Sequence, residues 1–268
     1  MGDFTAEWLA LREPADHRAR SAQLTREIAR RLMGRPPLHV LDLGSGTGSN
    51  LRYLARRLPP VQHWRMIDRD RALLSRSRTP TQWAVVASVH LQPRDLVDLE
   101  ANADLFIAVS LVTASALLDL VSAAWIDALA QRCQSSRAAS LFALTYDGRL
   151  ACTPADRDDD MVRDLVNRHQ RTDKGFGPAL GPDAADVAQQ AFASRGFTVE
   201  RDRSDWTLDA GDAELQRQSI DGWARAAAET QPEDAAAIEA WRKRRVQHDP
   251  AARSTIVVGH EYLAAWIK

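Results

Sequence analysis

The sequence has few of the features that mark disulfide-rich or metal-binding proteins. Only two of its 268 residues are cysteine, and Cys133 and Cys152 stand far apart in the chain. Two isolated cysteines predict neither a disulfide framework nor a thiolate zinc site, so no metal site is expected. A reducing cytoplasm is the compartment that this cysteine usage favours.

The chain also lacks an excess of charge and a membrane-like apolar run. Its 35 Lys and Arg residues and 36 Asp and Glu residues leave a net charge of -1. That balance offers no general attraction to nucleic acid or to an anionic membrane, so neither is expected as a partner. The long apolar stretch 103–133 contains Asp104, Asp119 and Asp127, which indicates protein core rather than a membrane span. The first twenty residues carry charges throughout, which disfavours a secretory signal.

What the sequence does contain is an alternation of strand-like and helix-like segments. A helical segment from Thr5 to Met33, interrupted at Pro14, precedes the first strand. The fourth strand gives way to a helix between Val109 and Leu117, where no glycine or proline marks the boundary. Strands are also predicted at 40–43, 63–68, 83–89 and 138–149. Strands that alternate with helices predict a parallel sheet.

The stretch "LHVLDLGSGTGSNL", residues 38–51, predicts a strand, a tight loop and the start of a helix. Loops of this kind bind nucleotide-like cofactors, although a plain structural turn is the alternative. A dinucleotide site needs a third glycine where Ser49 stands. The spacing is instead GxGxG, at Gly44, Gly46 and Gly48, with Asp42 two residues before the first glycine.

With Asp42 in place, "VLDLGSGTG" resembles the first motif of the class I S-adenosylmethionine-dependent methyltransferases. The resemblance covers residues 35–149 and resumes at "FTVERDRSDW" and "STIVVGHEYLAAW". It implies an α/β, Rossmann-like fold with a seven-stranded, mostly parallel sheet, helices on both faces and an antiparallel last strand. It also implies S-adenosyl-L-methionine as cofactor and S-adenosyl-L-homocysteine as product.

Two acidic residues follow the next strands at positions that suit this cofactor. Asp68 closes the second strand, where a carboxylate can accept hydrogen bonds from ribose hydroxyls. The resemblance implies an acidic residue beside the adenine after the third strand, and Asp95 matches, with Asp98 nearby and a capped surface turn as the alternative. The N-terminal segment could also place Arg12 or Arg20 near the methionine carboxylate. The predicted cofactor residues are Arg20, Asp42, Gly44, Ser45, Gly46, Gly48, Asp68, Arg69, Asp95, Leu96 and Ser115.

Methyl transfer is an in-line displacement that needs alignment and, for a protonated acceptor, a base within reach. Ligands of open α/β sheets lie beyond the carboxyl ends of the strands, which directs attention to Asp119 and Tyr146. Asp119 is a candidate catalytic residue facing the acceptor, with a solvated helix side chain as the alternative. Tyr146 is another candidate, with a tyrosine that plugs the core as the alternative.

The segment "NRHQRTDKGFGPALGP" combines polar side chains with three glycines. We expect residues 154–182 to form a mobile lid over the acceptor pocket. His169 would then act as a base, and Arg171 or Lys174 would bind an anionic group of the substrate. A solvated loop with accidental charges is the alternative.

The chain is predicted to be one methyltransferase domain, residues 1–268, with helical insertions that form a cap. Its parts are an N-terminal helical segment 1–34, a cofactor-binding core 35–150, a cap or lid insertion 151–185, and C-terminal core strands 186–268 with a helical insertion 210–252. Because the insertions resemble a cap, we expect methyl transfer to an oxygen or nitrogen of a small molecule.

Other functions stay open at this point. An RNA or protein methyltransferase is one alternative, although no NPPY-type tetrapeptide follows the fourth strand. The "WRKRR" run at 241–245 is either an RNA-facing surface or a solvated helix face. A cofactor-binding regulatory protein without catalysis is another alternative, and both a monomer and a homodimer are compatible with the sequence.

Overall fold

A computed structural model of the chain describes residues 4–35, 37–77, 83–247 and 254–267. The first three residues of the predicted N-terminal segment and residues 248–252 of the predicted helical insertion lie outside this description. The helices are α1 Ala6–Ala19, α2 Ala22–Leu32, α3 Ser49–Leu54, α4 Arg71–Ser75, α5 Ala123–Ser136, α6 Asp159–Gln170, α7 Ala184–Ala193, α8 Ala213–Thr230 and α9 Ala235–Gln247. The strands are β1 Leu38–Leu43, β2 Gln62–Asp68, β3 Val86–Pro93, β4 Leu111–Ser115, β5 Ala139–Thr153, β6 Thr198–Arg203, β7 Trp206–Leu208 and β8 Thr255–Trp266.

The strands form one sheet in the order β3-β2-β1-β4-β5-β8-β6. Neighbours from β3 to β5 pair in parallel, and β8 lies antiparallel between β5 and β6. The short strand β7 pairs with β8 beyond the end of β6, because Ser204 and Asp205 interrupt the segment "FTVERDRSDWTL". The predicted Rossmann-like path of seven strands is therefore confirmed, and the described residues add an eighth strand to it.

Alternating side chains of the strands supply two cores, one on each face of the sheet. From β1, Val40 points into a core shared with Ile28 of α2. Its neighbour Leu41 points into the opposite core, which contains Leu129 of α5. Helices therefore cover both faces, as predicted.

The N-terminal segment is interrupted later than predicted. Helix α1 continues through Pro14, and the chain becomes extended only at Arg20. Ser21 then caps α2 by accepting a hydrogen bond from the backbone N–H of Leu24. The prediction of a break at Pro14 is wrong because a cap at Ser21, and not the proline, separates the two helices.

The fourth strand ends at Ser115, inside the interval from Val109 to Leu117 predicted for the end of this strand. Helix α5 begins only at Ala123, where Ser122 Oγ accepts a hydrogen bond from the Trp125 backbone N–H. A short 3₁₀ turn at Leu118–Leu120 fills the gap. Asp119 therefore lies in a turn and not on the helix.

Helices α6, α8 and α9 pack together in a helical layer, here called the insertion layer, beside the extended ends of β5 and β8. Val162 and Leu165 of α6 share a core cluster with Ile220 of α8 and Ile238 of α9.

None of the described helices is both long and apolar enough to cross a membrane.

Two arginines of the "WRKRR" run form ion pairs inside this insertion layer. Arg245, whose side chain is 3% exposed, forms an ion pair with Asp159 and donates to the carbonyl oxygen of Pro154. Arg244 binds Asp156 and Asp158 at 2.6 Å each. The interpretation of this run as a solvated helix face is therefore wrong for Arg245, and these two side chains are engaged in binding α9 to the start of α6.

We expect Arg245→Met to destabilise the protein by about 3 kcal/mol, because it leaves the half-buried Asp159 carboxylate without its cation. The matched control is Arg217→Met, which removes the ion pairs of an exposed arginine with Glu214 and Asp221 and is expected to cost about 0–1 kcal/mol. Urea denaturation of the two variants and the wild type measures both free energies of unfolding. Equal effects of the two substitutions would contradict the internal role of Arg245.

Candidate active site

The glycine loop leaves the carboxyl end of β1 with a backbone that favours glycine. Gly46 and Gly48 have φ angles of 51° and 84°, in the left-handed region. A Cβ atom on Gly48 would lie 2.6 Å from Ser77 Oγ, and one on Gly46 would lie 3.1 Å from Leu9 Cδ1. The loop is therefore closely covered, and α1 lies directly on it through Leu9.

Asp68, the last residue of β2, binds the glycine loop. Its Oδ2 accepts a hydrogen bond from the Gly46 backbone N–H at 2.8 Å, and its Oδ1 accepts one from the Asp70 N–H at 2.9 Å. A carboxylate oxygen has more than one acceptor site, so both oxygens retain capacity for a ligand hydroxyl.

A pocket of about 170 Å³ opens beside this loop at the carboxyl ends of the strands. Most of the predicted cofactor residues line it, namely Gly44, Ser45, Gly46, Asp68, Arg69, Asp95, Leu96 and Ser115. The pocket lies where parallel α/β sheets bind their ligands.

Three predicted cofactor residues support the pocket from behind. Gly48 ends the glycine loop, and the buried Asp42 accepts a hydrogen bond from Asn50 Nδ2 at 2.8 Å. Arg20 donates to Ser115 Oγ at 3.1 Å. Asp42 and Arg20 thus contact Asn50 and Ser115, which do line the pocket.

Several buried polar atoms at or behind this wall have no hydrogen-bond partner among the described residues, although the Arg20 guanidinium lies over the rings of Tyr53 and Tyr262. They are Ser45 Oγ, Asn50 Oδ1, Asp42 Oδ2 and the Nε and Nη1 atoms of Arg20. Buried polar groups are normally hydrogen-bonded, so an unsatisfied group beside a pocket is a candidate ligand contact. Ser45 and Asn50 meet this condition directly, because both residues line the pocket.

Asp119 is buried behind the pocket wall, so its interpretation as a solvated helix side chain is wrong. The nearby residues Leu117 and Leu120 line the pocket, and the Oδ1 of Asp119 has no hydrogen-bond partner within the described part of the chain. Burial raises the pKa of Asp119 to about 6, although the backbone N–H of Tyr146 and the charge of Arg12 favour the carboxylate.

Tyr146 is a buried core residue that makes a hydrogen bond to helix α6. Its hydroxyl donates to Asn167 Oδ1 of α6 at 2.7 Å. Burial raises the pKa of this phenol above its ordinary value of 10.0. Tyr146 is not among the residues that line the pocket, so the structure favours the core alternative over the catalytic one.

The three polar side chains of the predicted lid are also turned away from the pocket. His169 Nε2 lies 3.1 Å from Glu229 Oε2, and Arg171 forms an ion pair with Asp183 at 2.8 Å. Lys174 Nζ donates to the His169 carbonyl oxygen at 2.9 Å. The geometry does not bring His169, Arg171 or Lys174 to the pocket. His169 faces α8, and the partners of Arg171 and Lys174 lie within the 151–185 insertion.

The pocket contains residues that the sequence did not identify. Phe176 enters from the predicted lid, and Leu9 and Asp16 enter from α1. Asp16 accepts hydrogen bonds from Arg12 Nε and from Trp206 Nε1, the latter at 3.0 Å. Helix α1 has no apolar stripe that would have indicated which face lies inward, because its inward residues include this ion pair.

No protein-family model and no curated protein sequence matches the chain. Among solved structures, a cyclopropane-fatty-acyl-phospholipid synthase-like protein from Lactobacillus casei shares 13% identity over 98% of this chain and 94% of that chain, with a TM-score of 0.57. The YcgJ protein from Bacillus subtilis shares 12% identity over 92% of this chain and all of that chain, with a TM-score of 0.50.

A third solved structure is phosphoethanolamine N-methyltransferase 2 from Haemonchus contortus, in complex with phosphomonomethylethanolamine and S-adenosylhomocysteine. It shares 13% identity over 99% of this chain and 59% of that chain, with a TM-score of 0.45. The likeness to the L. casei and B. subtilis structures, together with the strand order and the antiparallel β8, shows that this chain has a Rossmann-like α/β fold.

Proposed function

We propose that the protein is an S-adenosylmethionine-dependent methyltransferase that acts on an oxygen or nitrogen of a small molecule. The observation that carries this proposal is the hydrogen bond between Asp68 and the Gly46 backbone N–H. It places an acidic side chain and a glycine loop of the methyltransferase type on the same pocket. S-adenosyl-L-methionine supplies the methyl group as an activated sulfonium, and S-adenosyl-L-homocysteine is the product.

The residues of the pocket fit the parts of this cofactor. Asp68 has acceptor capacity for ribose hydroxyls, and Asp95 and Leu96 offer a polar and an apolar contact for the base. Ser45 Oγ and Asn50 Oδ1 are unsatisfied within the described residues and suit the polar amino-acid part. We therefore assign the predicted set around the glycine loop to the cofactor, with Asp42 and Arg20 as supporting residues.

The wall formed by α1 is the proposed acceptor side. Arg12 lines it with its Nε on Asp16, and no hydrogen bond from its two terminal nitrogens to a described residue is present. Of the three predicted catalytic residues, only Asp119 has sequence neighbours on the pocket wall, and we retain it as the candidate acceptor-side carboxyl. An in-line displacement needs few catalytic groups, because its rate depends mainly on the alignment of the reacting atoms.

A small acceptor is favoured over RNA or protein because α1 and the Phe176 loop both cover the pocket. Leu9 reaches within contact distance of the glycine loop from one side, and Phe176 lines the pocket on the other. Two covers beside the cofactor residues restrict the access of a large acceptor, which favours a small molecule.

The activity is tested by incubating the protein with methyl-labelled S-adenosylmethionine and panels of small amines and hydroxy compounds, or with RNA or protein. We expect label in a small molecule. Label in RNA or protein would contradict the proposed acceptor class, and cofactor binding without any transfer would identify a regulatory protein.

We expect Asp68→Ala to weaken S-adenosylhomocysteine binding by about 1 to 3 kcal/mol, the scale of lost charge-assisted hydrogen bonds. Isothermal titration calorimetry measures the affinity. The matched control is Asp164→Ala on α6, where the carboxylate is 67% exposed and pairs with Arg163. Unchanged affinity in a folded Asp68 variant, or tighter binding of NAD by the wild type, would refute the cofactor assignment.

Burial raises the pKa of Asp42 from 3.8 to about 7. Between these two values the folded protein holds a proton that the unfolded chain has released, so stability falls as pH rises through this window and is level above it. Asp42→Asn removes the titration. We therefore expect the stability of the variant relative to wild type to rise between about pH 4 and about pH 7, as measured by urea denaturation across that range. A constant difference would show that Asp42 is ionised throughout.

A further inference from the structure

The loop 172–178 of the predicted lid reaches the cofactor pocket through one aromatic side chain. Phe176 lines the pocket, and its ring meets Trp125 edge-on with centroids 5.9 Å apart. Trp125 in turn donates from Nε1 to the carbonyl oxygen of Leu96 at 2.6 Å. Phe176 is therefore connected through Trp125 to the segment that carries Asp95 and Leu96.

The neighbouring backbone lies at the same end of the pocket. The Cβ position of Gly175 is 3.8 Å from Nη1 of Arg69, the residue that follows Asp68. The loop thus lies near the side chain of the residue that follows β2 and is connected through Trp125 to the segment after β3. In the proposed function, these two places contact the ribose and the adenine.

The Lys174 ammonium makes several polar contacts, together called the clasp, at the base of this loop. Lys174 Nζ donates to the carbonyl oxygen of His169 at 2.9 Å and to Thr172 Oγ1 at 2.8 Å. It also lies 3.3 Å from His169 Nδ1, while His169 Nε2 faces Glu229. The lysine is 9% exposed, so these contacts replace most of its hydration. Its charge also lies at the carboxyl end of α6, where the helix dipole favours a cation.

The loop has few other restraints. Within it, Asp173 pairs with Pro178 in a single antiparallel bridge, and Gly175 N–H donates to Asp173 Oδ1. Gly175 and Gly177 both have positive φ, which gives this stretch more conformational freedom than other residues would. The position of Phe176 thus depends on the clasp at Lys174 and on the contact with Trp125.

We propose that Phe176 is a cofactor-contacting residue that closes the adenine end of the pocket, and that Lys174 is a positioning residue that acts through it. This inference rests on the proposed function. It replaces the predicted substrate-binding role of Lys174, whose ammonium points into the insertion. An aromatic ring beside a purine binds by stacking or edge contacts and excludes water from the base.

The test is calorimetric titration of the wild type, Phe176→Ala, Lys174→Met and the double variant with S-adenosylhomocysteine and with 5′-methylthioadenosine. We expect each single variant to bind both ligands about tenfold more weakly, the scale of one aromatic contact with a base. Because 5′-methylthioadenosine lacks the amino-acid part, an equal loss for both ligands assigns the effect to the adenine end. The double variant should bind like Phe176→Ala alone, because Lys174 acts through Phe176.

The matched control is Lys243→Met, which removes a 63% exposed lysine of α9 and should leave both affinities unchanged. Thr172→Val keeps the ammonium but removes one of its acceptors, and it should weaken binding in the same direction if Lys174→Met fails to fold. Unchanged affinity in Phe176→Ala would overturn the inference, and additive losses in the double variant would overturn the role of Lys174. Absence of binding by the wild type would instead refute the proposed function, and the inference with it.

Discussion

The carboxylate of Asp68 joins the two chain segments on which the candidate site depends. One oxygen accepts the Gly46 N–H and the other accepts the Asp70 N–H, so the loop after β1 and the loop after β2 share one anion. Helix α1 then lies on the glycine loop through Leu9. A displacement of Asp68 would therefore move both the glycine loop, which lines the pocket, and helix α1, which covers that loop.

The covers of the pocket are fixed mainly by polar contacts. Glu13 of α1 forms a bidentate ion pair with Arg52 beside the glycine loop, and His17 Nε2 lies 3.2 Å from Ser49 Oγ. On the other side the loop 172–178 is held by the buried ammonium of Lys174. Polar contacts are directional and bury little surface area. They therefore fix each cover in one position without filling the pocket with apolar side chains.

The parts of the site that the sequence predicted are those encoded within a few residues. The GxGxG spacing and the acidic residues that end β2 and follow β3 are local patterns, and the structure brings them to one pocket. The same holds for the strand order, because strands that alternate with helices leave few ways to form a parallel sheet.

The parts that the sequence did not predict depend on partners distant in the chain. Phe176 reaches the pocket because it packs on Trp125, and Arg245 turns inward because Asp159 is available 86 residues earlier. His169 and Lys174 have residue types that suit catalysis, yet they bind each other and Glu229. Composition indicates what such side chains can do, and only the tertiary fold determines which partner they have.

The length of β5 and β8 has a consequence for how such a site can change. Their paired ends, such as Cys152 with Ile256, extend the antiparallel ribbon beyond the carboxyl ends of the parallel strands. The first insertion follows β5, and the second lies between β7 and β8. Segments grafted onto a ribbon can lengthen, shorten or exchange helices while every backbone hydrogen bond of the parallel strands is kept. The insertions can therefore vary in evolution while the parallel strands, the glycine loop and Asp68 are inherited unaltered.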